Sequence, residues 1–282
     1  MMRIDSHHHF WRYAPEQYPW IGPNMEAIRR DFMPHDLQEA ARAAGVDASV
    51  VVQARQTIEE TRWLLDLASQ CSTIHGVVGW APITADNFRD YLDDLKQQPL
   101  LRGLRHVVED EPAGFLLDEQ FNRGISAITE AGLVYDILVY SRQLGEVISF
   151  VDLHPNQVFV LDHIGKPDIA NNEFQAWERD IHELARRENV VCKLSGMVTR
   201  ADADSWSPHL LYPYYETALE AFGPARLMIG SDWPVINLRC NYAQWWEIVT
   251  QWLVPLSVVE RESIEGHAAS RIYQLGSETS QQ

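Results

Sequence analysis

The chain has 282 residues, of which 46% are hydrophobic and 22% are charged, proportions that exclude an intrinsically disordered chain. Its 40 acidic and 23 basic residues give a net charge of −17, which argues against a nucleic-acid partner because the phosphate backbone would be repelled. The three cysteines are widely spaced and no apolar run approaches the roughly 18 residues that a bilayer requires, so we expect a cytoplasmic protein without a membrane partner.

Eight short β-branched runs occur along the chain, each followed by a segment with helical periodicity. This alternation predicts parallel strands joined by crossover helices, and eight such units fit a single-domain (β/α)₈ TIM barrel of ordinary length. We expect the barrel to span residues 1–275, with a polar tail over residues 276–282. The predicted strands begin near Arg3, Ala48, Ile74, Leu101, Leu133, Gln157, Val190 and Arg226.

Capping and breaking residues mark several of the intervening helices. Pro34 and Asp36 precede LQEAARAAG, Asn172 precedes EFQAWERDIHELARRE, and a last helix is predicted over Ser257 to Tyr273. Between the first strand and its helix lies the segment RYAPEQYPWIGPN, residues 12–24. Its proline, glycine and aromatic content predicts an ordered active-site loop that could act as a lid.

In a parallel barrel the carboxyl ends of the strands meet at one face, and functional side chains come from those ends. His7 and His9 lie two residues apart on an extended segment, so their side chains point to the same side while His8 points elsewhere. Two convergent imidazoles suit either a divalent metal or a polarised oxygen. The alternative is a polar strand end. Position at the carboxyl end of a predicted strand also selects Gln53, Trp80, Arg105, His106, Tyr140, His163, Lys193, Ser195 and Asp232.

Two further strand ends carry ionisable groups. His163 ends the stretch VFVLDH, and Asp232 follows LMIGS and precedes a Trp-Pro turn. Taken alone, His163 could be structural and Asp232 could cap a turn. Together with His7 and His9, they predict a general base or a metal site at the mouth of the barrel.

These residues resemble the amidohydrolase superfamily, and within it the lactonase group. The resemblance rests on Asp5, His7 and His9 at the start, on LDHIGKP and GSDWP around His163 and Asp232, and on the closing GHAASRIY. It implies hydrolysis of a small-molecule lactone. The stretches VVQAR and LRGLRHVVED are most similar to members that open sugar-acid lactones such as L-fucono- or L-rhamnono-lactone.

Ester opening requires a deprotonated water and a stabilised carbonyl oxygen. We therefore expect Asp232 to activate water and His7, His9 and His163 to polarise the carbonyl. Arg105, Gln53, Tyr140 and Trp233 are candidates for binding the substrate. Each has a structural alternative, since Arg105 could pair with Glu109 or Asp110, Tyr140 could cap a helix and Trp233 could simply pack.

Metal-dependent members of the superfamily usually add a lysine or glutamate after strand four or a histidine after strand five, whereas this chain has Arg105 and Tyr140 there. The resemblance thus implies a ligand set of His7, His9 and Asp232, with His163 as a further candidate. Such a set could hold Zn²⁺ or another divalent metal without requiring it, so we expect no required cofactor. A metal-dependent decarboxylase or amide hydrolase on the same barrel, and a non-catalytic sugar-acid-binding protein, are the competing interpretations.

Overall fold

The computed structural model describes residues 2–276 as a barrel of eight parallel strands. The strands pair in chain order from β1 to β8, and the turn after β8 closes the barrel onto β1, where the Asp232 amide donates to the carbonyl of His7 at 2.8 Å. This confirms the predicted single-domain TIM barrel. The strands are β1 Ile4–His8, β2 Ala48–Val52, β3 Ile74–Gly79, β4 Leu101–Val107, β5 Val134–Leu138, β6 Phe159–Leu161, β7 Val190–Leu194 and β8 Leu227–Ile229.

Helices cover the outside of the barrel between successive strands. They are α1 Pro34–Ala43, α2 Ile58–Ser69, α3 Phe88–Leu95, α4 Glu119–Glu130, α5 Leu144–Leu153, α6 Phe174–Ala185, α7 Pro208–Phe222, α8 Tyr242–Leu253, α9 Val258–Glu262 and α10 Ala268–Ile272. Pro34 occupies the first turn of α1, where its missing N–H costs nothing. The last helix predicted near Ser257 to Tyr273 is present as one continuous helical segment, in which a π-helical turn, Ser263–His267, joins α9 to α10.

The barrel interior is apolar near the ends where the strands begin. Side chains from every strand except β4 form one apolar cluster there with Ala268 and Ala269 of α10 and with Tyr273 and Leu275, which follow that helix. Gly266 permits this closure, because a Cβ at that position would lie 2.1 Å from the carbonyl oxygen of Met2. Helix α10 therefore closes one end of the barrel, and the opposite end remains as the mouth.

The segment 12–24 packs against the mouth as ordered structure. Tyr18 and Ile21 are buried, and the guanidinium of Arg55 lies 5.2 Å from the centre of the Tyr18 ring while donating to Gln17 at 2.7 Å. These contacts join the segment to the loop after β2. Its action as a lid stays a prediction.

Cys71, Cys192 and Cys240 are buried and unpaired thiols. No helix within residues 2–276 is long and apolar enough to cross a membrane. The predicted polar tail lies outside the described residues except for Gly276.

Candidate active site

Strand β1 directs two imidazoles into the mouth. The Nε2 atoms of His7 and His9 lie 3.2 Å apart, as expected for side chains two residues apart on one strand. His8 points the other way and packs its ring against Phe10. Within residues 2–276 neither ring nitrogen of His8 has a hydrogen-bond partner. The strand alternation thus separates His8 from the site.

His163 and Asp232 reach the same point from the ends of β6 and β8. Both have left-handed backbone conformations, with φ of 54° and 58°, which cost energy for residues other than glycine and are enriched at functional sites. Gly196 makes room for His163, since a Cβ there would lie 2.6 Å from His163 Nδ1. The local backbone is therefore shaped around these two side chains.

The four predicted catalytic residues form one buried cluster, and each is at most 5% exposed. Asp232 Oδ1 lies 3.4 Å from His9 Nε2 and 3.9 Å from His7 Nε2. The His163 ring lies 4.4 Å from the His7 ring, centre to centre, and its Nδ1 is 2.9 Å from the hydroxyl of Ser195. The structure brings together all four side chains from strands distant in sequence.

Hydrogen bonds fix the orientation of the two β1 imidazoles. His9 Nδ1 lies 2.8 Å from the carbonyl of Val52, which can only accept, so this nitrogen carries a hydrogen. His7 Nδ1 lies 3.2 Å from both Asp162 Oδ1, which only accepts, and Lys193 Nζ, which only donates. Because Arg105 Nη1, also only a donor, lies 3.3 Å from His7 Nε2, we assign the hydrogen of His7 to Nδ1, where it meets the Asp162 carboxylate. When the rings are uncharged, both Nε2 atoms are acceptors, and that of His7 faces the Arg105 guanidinium as well as the mouth.

Burial and neighbouring charges set the protonation states. Burial alone would raise the pKa of Asp162, but Lys193, His7 and Arg105 outweigh it and hold that pKa well below its usual value. Burial lowers the pKa of His7 well below 6.5 against the attraction of Asp162, and lowers the pKa of His163 to about 4 against that of Asp232. Burial would also raise the pKa of Asp232, yet His163 and His9 bring it below 3.8. At neutral pH, Asp232 and Asp162 are carboxylates, and His7 and His163 are uncharged.

The donor set of His7, His9 and Asp232 fits a divalent metal. Ligand atoms about 2.1 Å from a tetrahedral zinc ion lie about 3.4 Å from one another, close to the 3.2 to 3.9 Å separations of these three atoms. Three acceptor atoms facing one point repel each other unless a cation or a proton lies between them. His7, Asp162 and His163 form a second group of metal-binding residue types within the same spacing.

Sequence reasoning missed the carboxylate that orients His7. Asp162 precedes His163 directly, so its strand-end position was a signal that could have identified it. Lys193 was among the strand-end candidates but was given no role, and it lies 3.0 Å from Asp162 Oδ1. Below the imidazoles the barrel therefore holds a second layer of buried charged groups.

The predicted substrate-binding residues differ in solvent exposure and in their contacts. Arg105 is 3% exposed, and its terminal nitrogens donate to Asp162 at 2.8 Å and to the side chain of Gln53 at 3.0 Å, not to Glu109 or Asp110. Trp233 is buried beside Phe32. Tyr140 is half-buried. The cations that approach its ring are Arg142, Lys166 and Arg200.

Comparison with known proteins gives concordant matches. The sequence model of a family described as amidohydrolase matches residues 4–275. The L-fucono-1,5-lactonase of Burkholderia multivorans is 40% identical over an alignment of 289 positions, gaps included, and the alignment covers 97% of this chain and 96% of that protein. The protein of the same name from Burkholderia ambifaria is 37% identical, with 86% and 84% covered. A crystal structure of an amidohydrolase from Burkholderia multivorans with bound Zn has 40% identity and a TM-score of 0.94, and covers 98% of this chain and 100% of its own.

Proposed function

This chain belongs to the amidohydrolase family, and from that premise we propose that it is a lactonase that opens a sugar-acid lactone, with L-fucono-1,5-lactone as the first candidate substrate. The observation that carries the proposal is the convergence of Asp232 with His7, His9 and His163 at the mouth of the barrel. The two relatives named L-fucono-1,5-lactonase, matched over 96% and 84% of their length, support the substrate class.

The charge states of these groups suit ester hydrolysis. The Asp232 carboxylate can take a proton from water as the water oxygen bonds to the lactone carbonyl carbon. When the bond from that carbon to the ring oxygen breaks, the same carboxyl group can return the proton to the ring oxygen. One group thus serves as base and then as acid, and the product is a hydroxy acid.

Stabilisation of the carbonyl oxygen falls to hydrogen-bond donors. An uncharged His163 whose Nδ1 accepts from the Ser195 hydroxyl carries a hydrogen on Nε2 and can donate it. A divalent metal held by His7, His9 and Asp232 would supply Lewis-acid polarisation of the same oxygen. A lactone is an activated ester, so we propose that the reaction does not require the metal.

The test is a panel of aldonolactones assayed with a pH indicator, before and after thorough chelation, with metal content measured by elemental analysis. We expect acid release from L-fucono-1,5-lactone, and we expect the chelated enzyme to keep its kcat within about tenfold. Lysozyme or another protein without lactonase activity gives the spontaneous hydrolysis rate.

Two outcomes would change the proposal. Activity that disappears with the metal and returns in proportion to added Zn²⁺ would make the metal essential. Binding of lactones without acid release would favour the sugar-acid-binding protein, and loss of CO₂ from an aromatic acid would favour the decarboxylase.

A further inference from the structure

A buried lysine lies directly beneath His7. Lys193, on β7, has no exposed side-chain surface. Its Nζ donates to Asp136 Oδ2 at 2.6 Å, forms an ion pair with Asp162 Oδ1 at 3.0 Å, and lies 3.2 Å from His7 Nδ1. Burying a charged side chain is expensive unless it is paired, so these contacts must offset a substantial cost.

The charges of the buried side chains around Lys193 cancel one another. Two carboxylates, Asp136 and Asp162, face two cations, Lys193 and Arg105. From the closed end of the barrel the hydroxyl of Tyr273 reaches Asp136, 2.8 and 2.9 Å from its two oxygens. Residues on β4, β5, β7 and the segment after α10 are thereby tied into one cluster.

Neutralising Asp136 does not by itself explain the position of Lys193. A lysine that served only Asp136 would need no contact with Asp162. Instead, Asp162 Oδ1 forms an ion pair with Lys193 and a hydrogen bond with His7, while Asp162 Oδ2 accepts from Arg105. The carboxylate that orients His7 is consequently held at both oxygens, and Lys193 holds the oxygen that His7 uses.

We propose that Lys193 is a positioning residue for the reaction, which fixes Asp162 and through it the orientation of His7, while Tyr273 and Asp136 hold Lys193 in place. The inference rests on the proposed lactonase function for its kinetic consequence. The structural consequence, a fixed orientation of the His7 ring, is independent of that function.

The kinetic test compares Lys193→Met with the charge-balanced double variant Asp136→Asn/Lys193→Met. We expect Lys193→Met to lower kcat on the best lactone by about 10- to 100-fold with little change in KM, and to lower Tm because Asp136 is left unpaired. The double variant removes one charge of each sign, so it should recover Tm and keep the low kcat. Lys96→Met, at an exposed ion pair with Asp93, is the matched control.

A second measurement needs no turnover. The buried Nδ1–H of His7 should give one protected imidazole signal in ¹H–¹⁵N spectra of the purified protein, assigned by its absence in His7→Gln. We expect this signal to broaden or split in both Lys193 variants and to persist in Lys96→Met. A wild-type enzyme that opens no lactone would defeat the proposed function, whereas the His7 signal would still test the position of Lys193.

A double variant with wild-type kcat would overturn the proposal, because Lys193 would then only neutralise Asp136. An unchanged His7 signal in a folded Lys193 variant would overturn it as well. If both Lys193 variants fail to fold, Tyr273→Phe carries the test, since it keeps every charge. A fall in kcat of up to about tenfold at constant KM supports the proposal, and wild-type kcat overturns it.

Discussion

At the scale of single residues, the backbone conformation of the site matters as much as the identity of its side chains. Asp232 and His163 have φ values near +55°, and Gly196 leaves the space that the His163 ring fills. A left-handed residue at a strand end turns its side chain off the direction of the strand and into the mouth. The cost of this conformation, of order 1–3 kcal/mol each, is offset by the surrounding packing.

Asp232 is the residue whose replacement should affect the chemistry most. Asp232→Asn keeps the volume and the contact with His9 but removes the base, so we expect kcat to fall by about 100-fold or more with Tm nearly unchanged. Steady-state kinetics and thermal unfolding measure both quantities. Asp93→Asn, at the surface, is the control, and a wild-type rate in Asp232→Asn would assign water activation to another group.

Arg105 was predicted to bind substrate, but its guanidinium is committed to protein groups. Because Asp162 and Gln53 occupy its terminal nitrogens, Arg105→Lys should lower Tm and kcat and leave KM within about twofold, since one ammonium cannot reproduce the forked contacts. Urea unfolding measures the loss of stability, and steady-state kinetics on the same lactone measure kcat and KM separately. A variant with a raised KM and unaltered stability would restore Arg105 to the substrate pocket.

At the scale of elements, α2 anchors the loops on one side of the mouth through Glu60. This fully buried carboxylate, in the first turn of the helix, accepts from the amides of Ala54 at 3.0 Å and Arg55 at 2.6 Å. Arg55 in turn packs on Tyr18 of the segment 12–24. One carboxylate therefore links α2, the loop after β2 and the loop after β1.

The pKa of Glu60 makes this link dependent on pH. Burial raises the pKa of Glu60 from 4.5 to about 7, although the hydrogen bonds and charge of Arg55 oppose it. Between these values the folded protein binds a proton that the unfolded chain does not, so this contribution to stability is present below pH 4.5 and is lost as pH rises through about 7. Glu60→Gln cannot titrate, and relative to wild type its free energy of unfolding should increase by up to about 3 kcal/mol between pH 4.5 and 8.

Urea unfolding at a series of pH values tests this prediction. The control is Glu59→Gln, which replaces the exposed neighbouring carboxylate. Stability curves of wild type and Glu60→Gln that run parallel across this range would contradict it. In that case the carboxylate would have the same affinity for protons folded and unfolded.

At the scale of the whole molecule, the pattern of strands and helices predicted the barrel, and each strand begins within two residues of its predicted start. The pair His7 and His9 was predictable because strand alternation is a local property. The roles of Asp162 and Lys193 were not, because they depend on partners across the barrel, 155 positions away for Asp162 and His7 and 57 for Lys193 and Asp136. Strand order brings those partners close, but which side chain bonds which is decided by packing in the interior.

The closure of the barrel by Tyr273 and Leu275 has a consequence for biosynthesis. The histidines of β1 precede Asp232 and the helix that seals the strand starts along the chain, so they leave the ribosome before them. Until that helix emerges, the apolar interior of the barrel is not covered by α10, and Asp136 lacks the hydrogen bond from the Tyr273 hydroxyl. A partly synthesised chain therefore exposes the apolar barrel interior until residues 268–275 have been made. Nascent proteins in that condition depend on chaperones to avoid aggregation.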